Sequence, residues 1–173
     1  MQTIDTPPVT ADLLDPNLYG LVRGADLVLL VIDIGNDDGI EHVQAVLERF
    51  ADTKTRLGRS SYLDEEDVGV SVTQTFCVLN KCDLPDVEEN YALLHEFLEL
   101  DFEEFRVSAE SGEGLEPLRE AIFQALDVVR VYTKMPKEKE PDMEKPFTIR
   151  RGGTLAEIAE MIHKDFAKGL KNA

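Results

Sequence analysis

The sequence predicts an α/β protein with a doubly wound, mostly parallel sheet, and two observations lead there. Short β-like runs at residues 2–4, 27–33, 75–80 and 104–107 alternate with segments whose apolar residues recur at helical spacing, the order that βα units produce. The run 27–33, LVLLVID, is apolar at almost every position, which suits a strand covered on both faces.

Each element has its own signal. Asp15-Pro16 reads as an N-cap followed by proline at the first helical position, starting a helix toward Val22. Ile40, Val43, Leu47 and Phe50 mark one face of a second helix, and Tyr91, Leu94, His95 and Leu98 that of a third. Leu115, Leu118, Ile122, Leu126 and Val129 form another stripe. Residues 57–73, with DEED at 64–67, show no clear period and are expected to be a long, solvated acidic connection.

From Val128 the pattern changes. Residues 129–133 are β-branched and aromatic, 135–145 form a proline- and charge-rich loop, and 146–150 read as a second strand. Thr154 and Glu157 have the spacing of a capping box, ahead of a stripe of Leu155, Ile158, Ala159, Ile162 and Phe166. One hairpin and one helix do not close a core.

Charge divides the chain at the same place. Residues 1–127 carry 8 Lys/Arg against 28 Asp/Glu, and residues 128–173 carry 10 against 7. The net charge of -17 is thus an acidic body joined to a weakly basic segment. Such a body repels nucleic acid, and no DNA partner is expected, whereas the C-terminal segment can approach an anion. The longest apolar run, 27–32, is too short to span a bilayer, and no basic-then-apolar leader precedes it. With two cysteines, Cys77 and Cys82, placed in a strand and the loop after it, the expectation is reduced thiols, no membrane and a cytoplasmic location.

The residues that carry chemistry lie where an apolar run ends. TFCVLN leads into Asn80, Lys81, Cys82 and Asp83, then a Leu-Pro breaker. Ligands of open parallel sheets bind beyond the carboxyl ends of the strands. A carboxylate at Asp83 can accept paired hydrogen bonds from the N1–H and 2-amino group of guanine, which adenine lacks. Asn80 can brace the loop and approach N7, and the Lys81 stem can lie along the base plane. After the next helix, FRVSAESGEGLEPL sends a strand into Ser108-Ala109 and a glycine-rich turn. There the Ala109 N–H can donate to guanine O6.

On NKCD at 80–83, SAESGEGL at 108–115, DTPP at 5–8 and GADLVLLVID at 24–33, the chain resembles the TRAFAC-class GTPases of the Obg and developmentally regulated GTP-binding (DRG) group. The tail VRVYTKMPKEKEPDMEKPFTIRRGGTLAEIAEMIHKDF is similar to the TGS domain, a ubiquitin-like β-grasp module. The resemblance implies a Rossmann-like P-loop GTPase G domain over residues 1–127 and a β-grasp module over 128–173. It implies GTP or GDP held by Asn80, Lys81, Asp83, Ser108 and Ala109, and Mg2+ held through water by Asp5. It also implies a translation- or ribosome-associated regulatory role, with ribosome, RNA or a regulatory protein met through 128–173.

The chain departs from that family in three ways. None of its 11 glycines is followed by lysine, so it holds no G-x-x-x-x-G-K-[ST] to cradle phosphates. The family places that loop and a central strand before Asp5, so the sequence is expected to be a piece of a longer protein, lacking its first strands and the end of its TGS domain. Alone it is expected to turn over no GTP. Pro8 stands where a glycine N–H would sense the γ-phosphate, and proline has no N–H. Val9 stands where a glutamine would orient water, so no catalytic residue is assigned. A non-enzymatic degenerate G domain, binding partners through its tail, is the alternative.

Other residues invite plainer roles. His42, His95 and His163 fall on predicted helices without ligand partners. Asp33 can face the pocket or stabilise the turn that follows it. Arg150-Arg151 is either a solvated hairpin end or a contact patch.

Overall fold

A computed structural model describes residues 2–7, 16–36, 38–135 and 137–163. Two compact units divide the chain: Thr3–Ile122, and Met1–Gln2 with Phe123–Ala173.

The first unit is built on a sheet that is mostly parallel. In chain order its elements are α1 (Pro16–Gly24), β1 (Val28–Asp33), α2 (Asp38–Ala51), β2 (Thr55–Gly58), β3 (Tyr62–Leu63), β4 (Ser71–Asn80), α3 (Val87–Phe97), β5 (Glu103–Arg106) and α4 (Leu115–Ala125), whose last turn runs past the division between units. The ten-residue β4 organises everything else. Its carboxyl half pairs in parallel with β1 and β5, and its amino half pairs with β2 in parallel and β3 in antiparallel. Register sets Asp33 beside Asn80 and Leu79 beside Arg106. Three strands therefore deliver their carboxyl ends to one place.

Burial explains why β4 is central. Cys77 and Leu79 face a core with Ile32, Ile34, Val43, Val87, Leu94 and Leu98, which joins β1, α2 and α3. Alternate residues point the other way, where Phe76 meets Phe105 with ring centroids 5.0 Å apart. A second cluster of Leu18, Val22, Val46 and Phe50 packs α1 on α2.

Several expectations need correction. Residues 2–4 form no strand and are exposed; three residues followed closely by Pro7 offer too few hydrogen bonds to hold an edge. The run 27–33 is covered on one face only, since Leu29 is 39% and Val31 60% exposed. Residues 57–73 contain parts of β2 and β4 and all of β3, which a search for apolar runs overlooks because the buried positions here include Ser71 and Thr73. Val129 belongs to a strand, because Asp127 adopts φ 46 and ends the helical path. The expected cap Asp15, together with Pro8, Val9 and Phe166, lies outside the described residues.

The second unit contains β6 (Val128–Val131) and β7 (Phe147–Arg150), paired antiparallel, and α5 (Leu155–Ile162). Thr154 caps α5: its hydroxyl accepts from the Glu157 N–H at 3.3 Å, and the Glu157 carboxylate accepts from the Thr154 N–H at 2.6 Å. Arg151 pairs with Asp127 at 2.8 Å, so the basic spot at 150–151 is partly neutralised.

Candidate functional site

The site begins with backbone hydrogen bonds. Val107 N–H donates to the Leu79 carbonyl at 2.8 Å, and Cys82 N–H returns to the Val107 carbonyl at 3.1 Å. The ends of β4 and β5 are thereby locked side by side before any side chain acts.

One side chain then joins the two loops. The Oδ1 atom of Asn80 accepts from the Ala109 N–H at 3.0 Å. The sequence assigned that N–H to a purine oxygen; here it braces the loops. Lys81 follows with φ 69, a conformation uncommon for a residue with a Cβ. Its ammonium reaches Asp33 Oδ2 at 2.6 Å. Asp83 is exposed, and its carboxylate has no hydrogen bond or ion pair among the described residues.

Ser108 has a different place from the rest. It is fully buried, and its hydroxyl accepts from Ser111 N–H at 3.0 Å. Its carbonyl accepts from Gly112 N–H at 2.9 Å. Ser108 shapes the loop that presents Ala109. Gly114 closes the same turn with φ +70, and a Cβ there would stand 2.1 Å from the Arg106 carbonyl oxygen.

A surface network fixes α3 to β5 behind these loops. Arg106 pairs with Glu88 and lies 5.1 Å above the Tyr91 ring. Glu104 accepts from the Tyr91 hydroxyl at 3.3 Å and sits 3.2 Å from His95 Nε2. The Arg106 guanidinium outweighs burial and holds the Glu88 carboxyl below its ordinary value. His95 thus has Glu104 as a partner, a contact between α3 and β5 that the sequence reading did not name.

Asp5 is exposed, and among the described residues no three His, Cys, Asp or Glu side chains gather as metal ligands. Among the described residues Asp5 thus offers a single exposed carboxylate and no cluster of its own. A cavity of about 220 Å³ lies beside the amino half of β4, lined by Arg23, Ser61, Tyr62, Ser71 and Thr73 among others. It is at the wrong end of the parallel strands for ligand binding, and Arg23 there donates to the Gly69 carbonyl at 3.0 Å. The strand-end loops carry the better chemistry. No helix among the described residues is long and apolar enough to cross a membrane.

Sequence reasoning missed the Asp33–Lys81 pair. The signal was present: an aspartate ending one strand, with a lysine one residue past the end of its neighbour.

No protein-family model matches the chain. It is 30% identical over 140 residues to the Uncharacterized GTP-binding protein MJ1326 of Methanocaldococcus jannaschii, covering 81% of this chain and 32% of that protein. It is 33% identical over 67 residues to GTP-binding protein 1 of Schizosaccharomyces pombe, covering 39% of this chain and 18% of that protein. Both relatives are named as GTP-binding proteins. The chain spans a third or less of the length of each.

Proposed function

We propose that residues 80–83 and 108–109 form a guanine-reading site, and that the chain is the base-binding part of a GTP-binding protein. The observation that carries this reading is the hydrogen bond from Ala109 N–H to Asn80 Oδ1. It ties two strand-end loops together while the Asp83 carboxylate has no hydrogen-bond partner among the described residues. In the proposed site Asp83 accepts from N1–H and the 2-amino group, Lys81 lays its stem along the ring, and Asn80 approaches N7. Ala109 N–H turns to O6 or shares it with Asn80, and Ser108 holds the loop. The names of the two relatives support the same ligand class.

The finer reading is a regulatory GTPase of the Obg/DRG type, with the G domain over residues 1–127 and a TGS-like β-grasp over 128–173. In that reading the intact protein works in the cytoplasm near ribosomes, and 128–173 meets ribosome, RNA or a regulatory protein. Mg2+ enters with the nucleotide phosphates beside Asp5. The NKCD and SAESGEGL motifs and the contrasting charge of the two segments support it. A second reading, a non-enzymatic binding module, is favoured by Pro8, whose missing N–H removes a γ-phosphate contact.

Titration of the 15N-labelled chain with GDP and, in parallel, ADP tests the base site. GDP is expected to shift the amides of Cys82, Asp83, Ala109 and Glu110, while ADP leaves them near their starting positions. Equal responses to the two nucleotides, or shifts confined to other residues, would refute the proposal.

A further inference from the structure

Asp33 does more than a turn requires. As the last residue of β1 it accepts from Gly35 N–H at 2.9 Å through Oδ1 and from Asn36 Nδ2 at 3.3 Å through Oδ2. These bonds make an ordinary aspartate turn. The ion pair from Oδ2 to the Lys81 ammonium at 2.6 Å is additional, and it crosses from one strand end to the next.

The surrounding backbone is arranged to let that pair form. Ile34 N–H donates to the Asn80 carbonyl at 3.2 Å, and Asn90 Nδ2 donates to the Ile34 carbonyl at 2.9 Å. A Cβ on Gly35 would meet Leu84 Cδ1 at 2.7 Å, Asp33 Oδ1 at 3.1 Å and Lys81 Cδ at 3.3 Å. The turn after β1 therefore lies close against the lysine stem, and a side chain at position 35 would have to displace Leu84 and crowd Lys81. Burial pushes the Asp33 carboxyl up, but the Lys81 and Gly35 hydrogen bonds outweigh it and leave the group below its ordinary value. The Asp33 carboxyl is therefore ionised at neutral pH.

Lys81 is two residues from Asp83. An ammonium on a flexible four-carbon stem is a natural competitor for that carboxylate, and a carboxylate paired with lysine is a poorer acceptor for a base. We infer that Asp33 is a positioning residue of the guanine site: it holds the Lys81 ammonium at the end of β1, so that the stem forms a wall for the ring and Asp83 stays open to the base. The inference rests on the guanine-reading proposal and adds a residue to it.

Asp33→Asn tests it, because the amide keeps an oxygen for Gly35 N–H and loses the charge. GDP affinity of the 173-residue chain, followed by amide shifts, is expected to weaken about tenfold, while Asp33→Glu stays within about threefold of the original. Asn36→Ala removes a turn contact of Asp33 and leaves the ion pair, and it is expected to keep its GDP affinity. Asp33→Asn binding GDP as well as the original, or Asn36→Ala losing as much as Asp33→Asn, would overturn the inference. An original chain that does not prefer GDP over ADP would remove the base site itself and this inference with it.

Discussion

The bond between Asn80 and Ala109 can be cut without touching the strands. In Asn80→Ala the backbone carbonyl of residue 80 still accepts from Ile34, and Leu79 still accepts from Val107. What disappears is the 3.0 Å acceptor for Ala109 N–H. The bond is solvent-exposed, so its loss costs the low to middle part of the range for a neutral hydrogen bond, about 1 kcal/mol. That corresponds to roughly a fivefold change in a local opening equilibrium. Hydrogen exchange of the Ala109 amide should therefore accelerate about fivefold, while Val107 and Ser111, which keep their acceptors, should not change. Asn80→Asp keeps an oxygen and should preserve the protection. If Ala109 exchanges at the same rate in Asn80→Ala as in the original chain, the two loops are not coupled through this side chain, and the site loses its frame.

Other perturbations follow from the same geometry. Gly114→Ala places a Cβ against the Arg106 carbonyl oxygen at φ +70 and should destabilise the first unit by about 3 kcal/mol from combined strain and crowding. Gly112→Ala meets nothing within 4 Å at φ +84 and should cost only about 1 kcal/mol; equal denaturation midpoints for the two variants would contradict this. Burial, with the Glu104 charge, pushes the Cys77 thiol up to about 12; Cys82 is half-buried, and burial with the Glu113 and Asp83 charges raises it too. A maleimide at pH 8 should therefore label Cys82 slowly and Cys77 only after unfolding, and equal rates in the folded chain would count against the packing of β4. Asp33 is held below its ordinary 3.8, so its share of stability is complete above that pH and lost as pH falls through the lowered folded value. The stability gap between the original chain and Asp33→Asn should accordingly narrow on acidification below about pH 4, and a constant gap would show that the ion pair contributes nothing.

How much of this was legible depended on where a signal was local. The cap of α5 needs only Thr154 and Glu157, and the spacing of those two residues gives it away. The carboxyl half of β4 is a run of buried apolar side chains, and it was equally readable. Its amino half was not, because Ser71 and Thr73 are buried by strand partners and by the Val22 carbonyl, which accepts from the Thr73 hydroxyl at 3.0 Å. Alternation through 70–75 was the clue available. The exposure of Leu29 and Val31 could not be read either, since an apolar side chain carries no mark of whether a neighbour covers it. Within the candidate site, Asn80, Lys81 and Asp83 were singled out by their chemical types at the end of an apolar run. The present commitments of Asn80 and Lys81, to Ala109 and Asp33, are facts of register between strands, and a linear sequence does not display register.

The base-reading role of Asp83 is tested most directly by changing which base it prefers. Xanthine carries an oxygen where guanine has its 2-amino group, so an amide at position 83 can donate to that oxygen and still accept from N1–H. For Asp83→Asn, competition between GDP and xanthosine diphosphate is predicted to reverse from favouring GDP to favouring the xanthine nucleotide, by about tenfold or more, the worth of one charge-assisted hydrogen bond. A variant that kept its original preference, or that lost both nucleotides equally, would contradict the account.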